Sequence, residues 1–141
     1  MSAFTEAELA YLALATLGRL ATIGQGQPHV VPVGFRHNAE LDTIDIGGRD
    51  LERTKKFRDV IADPRVAFVV DDVLPPWRPR SIEIQGLARG MGRGEAALIR
   101  IVPERIISRG LDGSPRTHSR RVPERVLDQP PVDPKRAHDT M

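Results

Sequence analysis

Residues 41–72 read "LDTIDIGGRDLERTKKFRDVIADPRVAFVVDD", and this stretch decides the fold. The alternating run "LDTIDI" stops at Gly47 and Gly48 and predicts a strand. "LERTKKFRDVIA", residues 51–62, predicts a helix, with Asp50 as its N-cap and Phe57 and Ile61 on one apolar stripe. "DPR" breaks that helix. "VAFVVDD", residues 66–72, is a continuous apolar run, expected to be a strand buried on both faces. On the N-terminal side, Thr5 to Glu8 fits a capping box, followed by Leu9, Leu12, Ala13 and Thr16 at helical spacing, with Gly18 as the stop. "RLATIG", residues 19–24, predicts a strand, and "GQGQP" a turn. "HVVPVGFR", residues 29–36, predicts a second strand, whose Pro32 marks an edge or a bulge. "HNAE" is a hairpin turn. On the C-terminal side, "VLPPWRPR" is a loop stiffened by three prolines. "SIEIQGLARGMG" alternates Ile82 and Ile84 with Glu83 and Gln85. "ALIRIVPERIIS" gives one or two strands around Pro103. From about Leu111 onward the chain is poor in apolar residues and holds five prolines, which predicts an extended or disordered tail. Strands joined by hairpins and interrupted by one helix predict a mainly β (α+β) fold. A small antiparallel barrel fits this pattern, and a doubly wound parallel sheet does not.

The chain has 141 residues, which fits one core domain over residues 1–112 with a basic, proline-rich tail over 113–141. Cysteine is absent, which excludes disulfides, thiolate metal sites and a cysteine nucleophile. The N-terminus lacks the basic flank of a signal peptide, and no apolar run reaches membrane-spanning length. A cytoplasmic protein without membrane contact is expected. Net charge is +2, but residues 1–88 hold 10 Lys/Arg against 12 Asp/Glu and residues 89–141 hold 11 against 7. One Trp, one Tyr and four Phe supply few stacking groups, so a nucleic-acid partner is not expected.

The feature that calls for explanation is the crowd of cations after Gly47 and Gly48: Arg49, Arg53, Lys55, Lys56 and Arg58. They are either a solvated helix face or an anion site. Cations in a first helical turn oppose the dipole, at a few tenths of a kcal/mol each (~0.3 or more), which favours the anion site. Two glycines let a backbone approach a flat ligand or a phosphate, and Thr54 adds a hydroxyl. "GMGRGE", residues 90–95, has the wrong glycine spacing for a dinucleotide fingerprint. His29, His37, His118 and His138 are scattered without metal spacing. Asp71 and Asp72 read as a polar strand exit, and Ser114 and Ser119 lie in no nucleophile elbow. Trp77, with Arg78 and Arg80, is either a loop plug or a clamp over an anionic ligand. With no acid/base pair, nucleophile or metal cage, an enzyme built on this chain would need a cofactor to carry the chemistry.

"PVGF", "IDIGG", "KKFRDV", "DPRVAFVVDDV", "PWRPRSIEIQG" and "IRIVPERIISRGLDG" resemble, in order and spacing, the pyridoxamine 5′-phosphate oxidase-like FMN-binding split-barrel superfamily. More narrowly they resemble its coenzyme F420-dependent branch. The likeness covers roughly residues 5–112. It implies a six-stranded antiparallel split β-barrel with flanking helices, a homodimer with sites at the subunit interface, and F420 (alternatively FMN) as cofactor. It implies a reductase that passes a hydride to an electron-poor C=C or C=N, such as a dehydrotetracycline-like enone. The alternatives are an FMN-dependent oxidase or reductase, or a non-catalytic F420, FMN or tetrapyrrole carrier. Carried over by motif, the ring would lie along Val31, Pro32 and Val33, with Ile46 beside it. Gly47, Gly48 and Arg49 would pass the cofactor tail. Lys56 would grip phosphate, with Thr54, Lys55 and Arg53 near it. Trp77, Arg78 and Arg80 would come from the partner subunit. The chain departs from the FMN oxidases in having no Arg early in the second strand and no Lys at its end, although Arg36 follows it. Arg109 stands where many relatives carry an aromatic residue.

Overall fold

A computed structural model describes residues 1–125. Helix α1 (Glu6–Leu14) leads into β1 (Leu17–Gly24), β2 (Gln27–Gly34), β3 (Arg36–Asn38) and β4 (Thr43–Ile46). After a 3-10 turn at Leu51–Arg53 come α2 (Lys55–Ala62), β5 (Arg65–Leu74), β6 (Arg78–Met91), β7 (Leu98–Arg109) and β8 (Thr117–Arg121). All pairings are antiparallel. The strand path is β2-β1-β5-β6-β7-β4-β3, and β8 pairs with β7. The two ends of that path, β2 and β3, are separated by Phe35 alone. The sheet must therefore curl until its outer strands meet, which makes it an antiparallel barrel around the core.

The sheet has eight strands, not six. One extra strand arises because the expected strand over 29–36 stops at Gly34 and resumes as β3. The other is β8, in the expected tail. "THSRR" has no apolar alternation, but Arg120 donates to the buried Glu8 carboxylate and, through Nη2, to the Ala3 carbonyl at 2.6 Å. Arg125 donates to the carbonyls of Leu41 and Asp42. The rest of the expected tail, residues 126–141, lies outside the described residues.

Leu20, Phe68, Ile82, Ile84, Ile99, Ile101 and Ile106 fill the barrel and are wholly buried. The Thr5–Glu8 capping box forms as expected, and α1 buries Tyr11 and Leu12. Gly18 does not stop α1. It lies inside β1, where a Cβ would stand 2.2 Å from the Phe68 ring. Pro32 sits on β2, an edge of the path, as expected. Pro103 is absorbed in one strand, β7, by a register shift opposite Gln85 and Gly86. Gly86 is obligatory there, because a Cβ would meet the Val102 carbonyl oxygen at 2.2 Å.

Strand β5 is not buried on both faces. Val66, Phe68 and Val70 point inward and are buried, while Ala67 and Val69 are half-buried on the outside. They continue an outer apolar strip with Ala21 and Ile23, beside Pro28. Among the described residues no helix is long and apolar enough to cross a membrane.

Candidate functional site

The cation-rich stretch turns the corner between β4 and α2. Gly47, Gly48 and Arg49 are exposed. A Cβ on Gly47 would meet nothing within 4 Å, and one on Gly48 only Leu51 Cδ1 at 3.7 Å. Neither glycine has a positive φ, so nothing in the chain's own packing requires glycine at either position. Leu51 is wholly buried and anchors the 3-10 turn. The Glu52 carboxylate accepts from the Gly94 N–H at 3.0 Å and ties the corner to the β6–β7 loop.

The helix starts four residues later than expected. Asp50 adopts φ 51° and caps nothing. The N-cap is Thr54, whose hydroxyl donates to the Leu51 carbonyl at 2.6 Å and accepts from the Phe57 N–H at 3.4 Å. That hydroxyl proton is committed inside the chain. The later start places Lys55 and Lys56 in the first turn of α2, which holds no acidic residue. Their backbone N–H groups belong to the unpaired set at a helix N-terminus. Phe57 and Val60 are buried. Ile61, expected on the same stripe as Phe57, is 66% exposed because the buried face runs through Val60.

The five cations separate by partner. Lys55 Nζ bonds both Asp59 oxygens at 3.0 Å. Arg58 donates to the Arg53 carbonyl. Among the described residues, the Arg49, Arg53 and Lys56 side chains have no hydrogen-bond or ion-pair partner.

The other predicted residues are spread over two places. On β2, Val31 is half-buried, Pro32 exposed and Val33 buried. Ile46 is wholly buried, so it offers a ligand its backbone and not an apolar surface. Trp77 is at the tip of the β5–β6 hairpin, 75% exposed, with Arg78 exposed beside it. Arg80 is different: its guanidinium forms a two-point pair with Asp72 at 2.9 and 2.6 Å and lies over the Tyr11 ring. The bonds from Arg80, with help from the Tyr11 hydroxyl, outweigh the opposing effect of burial and hold the Asp72 carboxyl below its usual range. Asp71 pairs with Arg19. Neither aspartate is the strand exit expected of it: β5 runs on to Leu74, and both lie within its ladder with β6. Gly90 and Met91 of "GMGRGE" end β6, and Gly92 to Glu95 open the β6–β7 connection, which has a 3-10 turn at Gly94–Ala96.

One cluster escaped the sequence reading: Thr22, His29 and Asp59, gathered behind Lys55. The i,i+4 spacing of Lys55 and Asp59 was its visible signal.

Comparison with known proteins agrees with the fold. A pyridoxamine 5′-phosphate oxidase family model matches residues 4–129. A 5a,11a-dehydrotetracycline/5a,11a-dehydrooxytetracycline reductase of Streptomyces rimosus is 42% identical over 132 residues, covering 84% of this chain and 93% of that protein. An FAD-binding protein from Mycobacterium smegmatis superposes with a TM-score of 0.57 at 22% identity, covering 74% of this chain and 93% of its own. A heme-binding protein from the same organism gives 0.65 at 15%, covering 86% and 60%. The curled antiparallel sheet, the helix inserted between β4 and β5, and a match spanning nearly all the described residues place this chain in the pyridoxamine 5′-phosphate oxidase family.

Proposed function

We propose that this chain is an F420-dependent reductase that delivers a hydride to an electron-poor C=C or C=N of a small organic substrate. The observation that carries the reading is the corner at residues 47–56. Glycines with open space before them lead, past the unpartnered Arg49 and Arg53, into a helix start that carries the unpartnered Lys56 and no acid in its first turn. Such a corner fits the anionic end of a cofactor: N–H groups and the dipole favour phosphate, and Lys56, Arg49 and Arg53 add charge for phosphate and an acidic tail. The Streptomyces rimosus relative, a dehydrotetracycline reductase, supports a reductase and makes a dehydrotetracycline-like enone a reasonable substrate class.

Bound there, reduced F420 supplies a low-potential hydride. The chain's residues orient the partners and exclude water. Val31 and Pro32 on the β2 edge flank the flat ring, and solvent supplies the proton. The Tyr11 hydroxyl is not a proton donor: burial and its bond to Asp72 push its pKa well up.

A homodimer completes the site in this reading. Trp77 at the hairpin tip and the outer strip of Ala21, Ile23, Ala67 and Val69 offer apolar surface for a second copy to cover. Trp77 and Arg78 then close over the partner's cofactor, while Arg80 braces the hairpin from within.

The FMN alternative shares the anion corner. The heme-binding neighbour favours a carrier as the second reading. Mixing the protein with reduced F420 and an enone separates them. A reductase oxidises F420 in proportion to enone consumed; binding without turnover would leave a carrier.

A further inference from the structure

A buried carboxylate stands behind the cation-rich corner. Asp59 of α2 is 5% exposed. The Thr22 hydroxyl donates to it at 2.7 Å, Lys55 Nζ reaches both oxygens at 3.0 Å, and His29 Nδ1 lies 3.8 Å from Oδ2. Thr22 and His29 are direct partners in the β1–β2 register, so the carboxylate faces a matched cross-strand pair. Gly24 closes the group: a Cβ there would stand 2.2 Å from Asp59 Oδ1 and 2.6 Å from Lys55 Nζ. The buried His29 Nδ1 has no hydrogen-bond partner among the described residues. Burial opposes the Asp59 charge, but the bonds from Thr22 and Lys55 outweigh it and hold the carboxyl below its usual range.

We infer that Asp59 is a positioning residue that divides the labour of the two lysines. It ties α2 to the β1–β2 hairpin through Thr22, holds Lys55 along α2 against Gly24, and leaves Lys56 to meet the anionic end of the ligand. The inference rests on placing that anionic end at the start of α2. Successive helical residues point about 100° apart, so the two ammonium groups do not share one direction. Lys55 cannot turn to a ligand without leaving a buried carboxylate short of its cation.

The test is titration of the full-length protein with F420 and with FMN at pH 8, paired with thermal melts. Lys56→Met should weaken binding about tenfold or more, a lost charge-assisted contact, with an unchanged melt. Lys55→Met should lower the melting temperature and leave affinity at pH 8 within about threefold. Asp59→Asn, which frees Lys55, should tighten binding at pH 8. If Lys55→Met weakens binding as much as Lys56→Met, the division of labour is wrong while the cofactor reading stands. If the unaltered protein binds neither cofactor, both fall together.

Discussion

Replacing Arg120 by alanine tests whether β8 belongs to the folded barrel. Arg120 reaches from β8 to α1. Two of its nitrogens donate to the Glu8 carboxylate, and two to the Ala3 carbonyl, at 2.6 and 3.2 Å. Glu8 is 1% exposed and also accepts from the Thr5 N–H in the capping box. Without Arg120 a buried carboxylate keeps its cost and loses its cation, which is worth about 3–5 kcal/mol for a buried pair. The Arg120 side chain is 33% exposed, so the lower part of that range, about 3 kcal/mol, is expected. For a chain of this size that is a fall of roughly 10 °C in melting temperature. The pH dependence is specific. Burial raises the Glu8 pKa, but the bonds from Arg120 and Thr5 outweigh it and hold it below 4.5. In the natural chain this contribution is complete above about pH 4.5 and is lost as pH falls through the lower folded value. In Arg120→Ala burial wins, the carboxyl titrates higher, and protonation relieves it. The deficit should be full at pH 7 and should shrink toward pH 4–5. Adding Glu8→Gln should recover part of it, since the amide keeps the cap and carries no charge. Urea or thermal denaturation at the two pH values reads all of this. A loss of less than about 1 kcal/mol at pH 7, within the range of ordinary surface changes, would refute the claim that this contact holds β8 to α1.

Three further outcomes follow from the same geometry. Gly86→Ala should cost several kcal/mol (about 3 or more) or prevent folding, because its Cβ would meet backbone that cannot yield; chemical denaturation checks it. Asp45→Ala should cost about 3–5 kcal/mol, since Arg100 is buried against it with two bonds at 3.0 Å; a urea midpoint shift measures the loss. Trp77→Ala should leave the folding of the single chain unchanged, because the ring is 75% exposed, but it should weaken dimerisation and cofactor binding. Analytical ultracentrifugation with a cofactor titration separates those effects.

What could be read from the sequence was what local pattern records. The capping box at Thr5, the alternation through Ile82 and Ile84 and the edge proline at 32 are neighbour effects within a few residues, and all appear in the structure. The misses have a common cause in contacts between distant residues. β8 is held by an ion pair to Glu8 across 112 positions, so its polar sequence carries no strand signal. Gly18 reads as a helix stop until Phe68 is packed on it. Asp50 and Thr54 are both good cap residues, and the burial of Leu51 selects the second. At the site, the glycines and the cations were visible as residues. Their division into paired and unpaired groups was not, because Asp59 meets its partners on β1 and β2 only after the barrel forms. The Trp77 tip and the outer strip fit the same pattern: their partner in this account is a second chain.

The central claim is that the corner at residues 47–56 receives the anionic end of F420. Titration of purified protein with oxidised F420 and with FMN, followed by absorbance and fluorescence, tests it most directly. The account predicts saturable F420 binding, tighter than that of FMN, and a marked loss in Lys56→Ala without any change in the melt. No binding of either cofactor below about 100 μM, roughly −5.5 kcal/mol, or an affinity indifferent to Lys56, would contradict it.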